Sequence, residues 1–372
     1  MWGLASSDSP ELPAHFEIPI TSLTTPCLLR KVWLAGFGWP ATHIAQRNAH
    51  ELTARRKQPS SGPPRIHFPE DEGAHPNALI EWWYLNTALT GSDGGEYGAM
   101  VAYFSPGLKI IAISDIDGRT LHHEVAGSTP RFAEGALDLV WGGRDRWRRA
   151  GSETPLYRLE AKGKGIGLDL SMESQKPPML AGGDGLVQWS GGTSYYYSLT
   201  RLEVGGWIQI GGRQIDVEGA GWMDHQWMAN LGRRGWDWFS VQLDNDTELL
   251  VWQIVNPDDS IESRDLMIMF PDCSMYHTHD VAMQSVESWV SPATGREYGI
   301  VWQVKERTQG VDLEIRARYP EQEIRMFELM PEVAYQFWEG NTVVAGWLGG
   351  NEVGGNGHAE IVRSISPLDR VP

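Results

Sequence analysis

Short runs of alternating apolar and polar residues, punctuated by Gly and Asp turns, recur along this chain from about residue 66 onward. Tyr157, Leu159 and Ala161 alternate with Arg158, Glu160 and Lys162; Gly163-Lys164-Gly165 turns the chain; Ile166, Leu168, Leu170 and Met172 then resume the alternation. Successive side chains of a strand point to opposite faces, so this pattern predicts a hairpin with one buried face. Three more hairpins follow the same logic. Ile208 and Ile210 lead through Gly211-Gly212 to Ile215 and Val217. Trp236–Leu243 joins Glu248–Val255 through Asp244-Asn245-Asp246, and Ile300–Lys305 joins Val311–Tyr319. Long helical periodicity is scarce between them. Strand, turn and strand at short spacing predict an all-β protein, an antiparallel sandwich or barrel. The strands run on for too long to make one small barrel, so two β domains are expected: 65–216 and 217–372, without an exact internal repeat.

Residues 1–64 differ from the rest. They alternate little and end in the polar, Pro-rich run Arg55–Arg65, which reads as a linker. Thr42–Arg56 is expected to form one short helix with Thr42 as its N-cap. The extension is otherwise expected to be poorly structured. The early residues carry Asp8, Glu11 and Glu17 and lack a basic start followed by an apolar run, so no targeting segment is read there. The most apolar early stretch, Val32–Trp39, is too short to span a bilayer.

The net charge of −17 disfavours nucleic acid and anionic membrane as partners. Cys27 and Cys273 are the two cysteines. They are too few for a disulfide framework and have no metal-binding spacing; the readings left are one long-range disulfide or, the simpler, two reduced thiols in a cytoplasmic protein. The oligomeric state stays open. Tryptophan stands out, with 18 residues against 9 Phe and 11 Tyr. It suits a well-filled barrel core, or an aromatic wall for a flat or extended apolar ligand.

Three segments combine aromatic and ionisable residues. In Phe68–Leu85, Glu81 and Trp83 share one strand face while Trp82 and Tyr84 share the other. A carboxylate turned into an apolar barrel would have its pKa pushed up and could act as a general acid or base. Alternatively, Glu81 pairs with an Arg or caps backbone amides. In Gly219–Phe239, Asp224 and His225 lie between Trp222 and Trp227, followed by Trp236, Asp237 and Trp238. His225 could pass a proton with Asp237 orienting it, or the group could be a buried polar network joining two barrels. In His277-Thr278-His279 two imidazoles could point one way. Zinc needs three or four ligands and no third adjoins, so no metal is expected. The Gly-rich stretch Gly349–Gly357 reads as a loop. No Gly-x-Gly-x-x-Gly, P-loop, Gly-x-Ser-x-Gly or His-Glu-x-x-His motif is present, which argues against nucleotide, hydride-transfer and serine-hydrolase chemistry.

Taken together, the segments FPEDEGAHP and EWWY, SYYYSLTRL (194–202), GWMDHQW (221–227), GWDWFSVQLDN (235–245), SPATGREYGIVWQV (291–304) and FWEGNTVVAG (337–346) resemble the lipocalin-like family of carotenoid 1,2-hydratases and AttH-like proteins. The resemblance runs from about residue 66 to the C-terminus. It implies two tandem lipocalin-like β-barrels with a ligand pocket in or between them. The architecture is similar to that of fungal decalin-forming Diels–Alderases. The resemblance fixes fold more than reaction. The expectation is a cofactor-free cyclase, isomerase or hydratase of secondary metabolism acting on a hydrophobic polyene, terpenoid or polyketide. The alternative is a non-catalytic carrier of a lipid or pigment. The expected catalytic residues are Asp224, His225 and Glu81. The expected substrate-binding residues are Trp82, Trp83, Tyr84, Tyr196, Trp222, Gln226, Trp227, Trp236, Trp238 and Trp338.

Overall fold

The computed structural model describes residues 66–151, 155–189, 192–228, 234–326 and 336–363. The expected linker and the Thr42–Arg56 helix lie outside them. The first sheet contains β1 (Ile80–Gly91), β2 (Glu96–Ser105), β3 (Leu108–Asp115), β4 (Thr120–Gly127), β5 (Pro130–Phe132), β6 (Asp138–Trp141), β7 (Asp145–Arg149), β8 (Leu156–Lys162), β9 (Ile166–Ser174), β10 (Met179–Leu180), β11 (Leu186–Trp189), β12 (Gly192–Ile210) and β13 (Arg213–Met228). The second contains β14 (Gly235–Leu243), β15 (Glu248–Val255), β16 (Ile261–Met269), β17 (Met275–Thr278), β18 (Ala282–Val290), β19 (Glu297–Glu306), β20 (Val311–Ala317), β21 (Glu323–Arg325), β22 (Gln336–Leu348) and β23 (Asn351–Val362). All four predicted hairpins are present, as β8–β9, β12–β13, β14–β15 and β19–β20. Among the described residues no helix is long and apolar enough to cross a membrane.

Both sheets follow one plan. The first strand pairs with the last, β1 with β13 and β14 with β23, and the other strands meander outward on either side. The paths end on chain-adjacent strands, β4 and β5 in the first sheet and β17 and β18 in the second. The result is two lipocalin-like antiparallel barrels in tandem. The changeover lies between Met228 and Gly235, beyond the division expected at 216/217, because β13 completes the first sheet.

The Gly-rich stretch expected to be a loop is mostly strand. Only Gly349 and Gly350 turn, with φ of 60° and 81°, the left-handed pair favoured by a two-residue hairpin. Gly355 and Gly357 then lie in β23, where an added Cβ would come within 2.3 Å of Gln242 O and 2.6 Å of Ser240 O. The glycines allow close approach of β14.

Three apolar cores result. Trp83, Leu85, Trp147, Leu159, Leu170 and Tyr197 are among those filling the first barrel. Phe239, Val241, Ile268, Leu313, Trp338 and Ile361 are among those filling the second. A third core joins the barrels, with Tyr84, Met100, Tyr196 and Trp222 facing Trp238, Leu250, Trp252 and Phe337. Buried charges elsewhere are neutralised locally. Lys109 meets Asp145 at 2.7 Å inside the first barrel. Glu248 of the second barrel accepts from Lys176 and Arg201 of the first, clamping one side of the junction. Asn341 Nδ2 donates across the junction to Thr87 O at 2.8 Å. Cys273 is disulfide-bonded, which corrects the expectation of two free thiols; the other cysteine, Cys27, lies outside the described residues.

Candidate functional site

Alternation along β1 and β13 separates the expected site residues into two groups. The odd-numbered residues Glu81, Trp83, His225 and Trp227 turn into the first barrel. The even-numbered residues Trp82, Tyr84, Trp222, Asp224 and Gln226 turn toward the second. Asp224 and His225 therefore do not form a pair.

Inside the first barrel, Glu81 Oε1 lies 2.7 Å from His75 Nδ1 and 2.9 Å from His225 Nε2. His75 Nε2 lies 3.2 Å from Asp71 Oδ1, and its ring stacks on Trp227 with centroids 3.8 Å apart. Burial alone would raise the Glu81 carboxyl, but hydrogen bonds from His225 and His75 outweigh it and bring its pKa down to about 2. Burial would lower His75, yet its hydrogen bonds to Asp71 and Glu81 raise it to about 9. Burial pushes His225 below its ordinary value in spite of Glu81. The expectation of a raised Glu81 pKa is thus overturned. Glu81 is an ionised acceptor between a cationic and a neutral imidazole, which ties the 66–79 segment to the barrel. Asp237 is not the partner of His225: it sits on the second sheet with Arg363 Nη1 at 2.6 Å and Gln253 Nε2 at 2.7 Å. His75, Glu81 and His225 have the composition of a metal site, but the ligand atoms of Glu81 and both histidines already engage one another.

The other group meets the second barrel. Tyr84, Asp224 and Ser198 stand on one rung across β1, β13 and β12. Trp238, Glu360 and Glu339 stand on the corresponding rung across β14, β23 and β22. The shared topology puts equivalent central strands face to face, and with them three carboxyls. Asp224 Oδ1 accepts from Ser198 Oγ at 2.6 Å and Trp222 Nε1 at 2.7 Å. Tyr84 donates to Glu339 Oε1 at 2.5 Å, and His358 Nε2 lies 2.7 Å from the same oxygen. Trp238 Nε1 donates to Tyr196 Oη at 2.9 Å, bridging the barrels.

Burial raises Asp224 to about 7, against hydrogen bonds from Ser198, Trp222 and Tyr196. Burial raises Glu339 to about 8, opposed by the Tyr84 hydrogen bond and aided by the charge of Asp224. Burial and the Glu339 charge push Glu360 well above the carboxylate range, although Trp236 donates to it. Burial lowers His358 to about 3, so its imidazole is neutral. Among the described residues no Lys or Arg acts on these three carboxyls. The junction is buried at Trp222 and Tyr196 but only partly covered at the end marked by Trp82, Phe104, Trp236 and Ile254. Glu360 and Gln226 are half-buried there, Gln226 donating to Ser194 Oγ at 2.7 Å. Partly exposed aromatic side chains and acids that hold protons near neutrality thus lie together at this junction.

Of the expected binding residues, Trp82, Tyr84, Tyr196, Trp222, Gln226, Trp236 and Trp238 come together at this junction. Trp83 and Trp227 belong to the first barrel with Glu81 and His225. Trp338 belongs to neither group: it fills the second barrel and donates to Pro320 O at 2.7 Å. Sequence reasoning missed Glu339, His358 and Glu360. Glu339 adjoins Trp338 in a segment already singled out, where strand alternation turns it to the opposite face.

No curated protein sequence matches the chain. Among solved structures, a provisionally assigned AttH from Nitrosomonas europaea matches with a TM-score of 0.70 at 25% identity, covering 83% of this chain and 100% of its own. Kievitone hydratase from Nectria haematococca gives 0.67 at 18% identity, covering 83% and 97%. CghA with Sch210972 gives 0.56 at 15% identity, covering 83% and 95%. At the identities of these last two, the likeness is one of fold. The family model described as AttH-like matches residues 59–363, well over half of the sequence, and the chain belongs to the AttH-like family.

Proposed function

We propose that this protein is an enzyme of secondary metabolism that binds an apolar, alkene-bearing molecule at the junction of its barrels and transfers a proton to it. The observation that carries this reading is the cluster of Asp224, Glu339 and Glu360, which hold protons near neutral pH without a Lys or Arg beside them and adjoin the partly exposed Trp82 and Trp236. A cluster serving only to join the barrels would be expected to resemble Glu248, which meets Lys176 and Arg201.

Glu360 is the acid because it is the one member of the cluster that is not fully buried. Its O–H bond breaks as a C–H bond forms on the alkene, leaving a carbocation faced by the Trp82, Trp236 and Trp238 rings. Attack by water, followed by loss of its proton to a carboxylate, gives net hydration. Attack by a second alkene of the same molecule, followed by loss of a carbon-bound proton, gives a ring at unchanged mass. The Glu360 carboxylate left by the first step takes up that proton, while Asp224 and Glu339 keep theirs beside it. Either route balances by proton transfer alone and needs no redox cofactor. The hydratase among the proteins of this fold supports the reading by analogy.

The test is incubation of the purified chain with linear terpenoids, polyenes and prenylated aromatics, with products read by mass spectrometry in ordinary and deuterated water. Gain of one water mass, or an isomer carrying solvent deuterium, lost in Glu360→Gln, is the expected result. Tight binding with every compound recovered unchanged would replace the reading with that of a carrier.

A further inference from the structure

The pair His277 and His279, without a third ligand in the linear sequence, acquires one in the fold. Strand β16 pairs with β17, and this hairpin brings Asp265 beside both histidines. His277 Nε2 lies 2.9 Å from Asp265 Oδ1, and His279 Nδ1 lies 3.2 Å from Asp265 Oδ2. One ligand atom from each of the three residues lies within 4.8 Å of the others. Asp265 is 6% exposed. Its Oδ1 and the facing His277 Nε2 are both buried, and neither makes a hydrogen bond despite their 2.9 Å separation. Their contact has ion-pair distance without hydrogen-bond geometry, so both atoms are placed to share a further partner.

We propose that Asp265, His277 and His279 form a binding site for one divalent transition-metal ion of the zinc class. Two imidazoles and one carboxylate are a ligand set that zinc and its neighbours accept, and three protein ligands leave a position for water or another oxygen donor. Asp265 and His277 are held in place, and His279, whose Nδ1 lies 3.1 Å from Arg264 O, has an exposed ring free to turn toward the ion. Asp265 is held by β16, on the same rung as the junction residue Trp252 of β15. His277 is packed against the Ala181–Gly183 turn, where a Cβ added at Gly183 would lie 3.6 Å from its Nδ1. His279 is 73% exposed, so the open side of the site faces solvent. The site is separate from the Asp224–Glu339–Glu360 cluster and does not depend on the function proposed above.

The test uses the full-length chain without a His tag, stripped with a chelator and titrated with Zn2+ by calorimetry and with Co2+ by visible absorption. One equivalent is expected to bind, with the absorption of a low-coordinate Co2+ site. Asp265→Asn and His279→Ala are each expected to weaken binding by about 100-fold. His279→Ala alters an exposed side chain, so folding is preserved and its melting temperature serves as the check. His75→Gln, in the other cluster of metal-binding composition, is expected to leave binding unchanged. No binding to the stripped chain, binding retained in both Asp265→Asn and His279→Ala, or binding lost only in His75→Gln would each overturn the proposal.

Discussion

Replacing His75 by Gln gives a sharp test of the electrostatics inside the first barrel. The folded-state pKa of His75 is about 9 against an ordinary value of 6.5. A group whose pKa is raised on folding contributes its full stabilisation below the unfolded value and loses it as pH rises through the folded one. At about 1.4 kcal/mol for each pH unit, this difference amounts to about 3 kcal/mol. The partner shows the opposite sign. Glu81 falls from 4.5 to about 2, so its share is present above pH 4.5 and is lost on acidification toward 2. The two shifts share only the His75–Glu81 hydrogen bond, since Asp71 also raises His75 and His225 also lowers Glu81, so they are not summed. The stability of the wild type relative to His75→Gln should therefore be flat between about pH 4.5 and 6.5, then shrink by about 3 kcal/mol between 6.5 and 9. Urea unfolding followed by tryptophan fluorescence at several pH values measures this directly. Taking the difference removes every other titrating group that the substitution leaves alone. A difference that stays constant from pH 6 to pH 10 would refute the ion pair.

Two further substitutions probe the cleft and the core. Asp224→Asn mimics the protonated acid and should stabilise the chain above pH 7: the pKa rises from 3.8 to about 7 on folding, so the native Asp loses stability across that interval, by up to about 4 kcal/mol. Chemical unfolding at pH 5 and pH 8 reads the sign, and a variant less stable at pH 8 would count against a neutral Asp224. Lys109→Ala should cost about 3–5 kcal/mol, because it leaves Asp145 as an unpaired charge at 1% exposure. A loss below about 1 kcal/mol in thermal or urea unfolding would show that the pair is not buried as described.

Much of the fold is legible in the residues because strand periodicity is local. Alternation in EWWY correctly puts Glu81 and Trp83 on one face and Trp82 and Tyr84 on the other, and Gly211-Gly212 marks a real hairpin. Alternation does not say which face looks into a barrel and which into the junction. Alternation alone therefore does not separate Trp338, which fills the second barrel, from the aromatic residues of the junction. The Glu81 shift was misjudged for a similar reason. Burial raises a carboxyl, but the outcome depends on His75 across a turn and on His225 across a strand pair. The acids Glu339 and Glu360 were hidden more deeply. Glu360 follows three glycines that imitate a loop, and their strand role becomes visible only once β14 packs against them. Both acids gain chemical meaning from two sheets of the same plan meeting face to face, a long-range event that no local pattern encodes.

The account rests on carboxyls that keep their protons inside the junction, and infrared spectroscopy of the wild-type chain across pH tests this without knowledge of the substrate. A band from protonated carboxyl groups, persisting at pH 7 and diminished in Glu339→Gln and in Asp224→Asn, is the predicted result, given values of about 8 and about 7 for the two groups. A spectrum in which the carboxyls are ionised by pH 6, or whose protonated band is untouched by both substitutions, would contradict it.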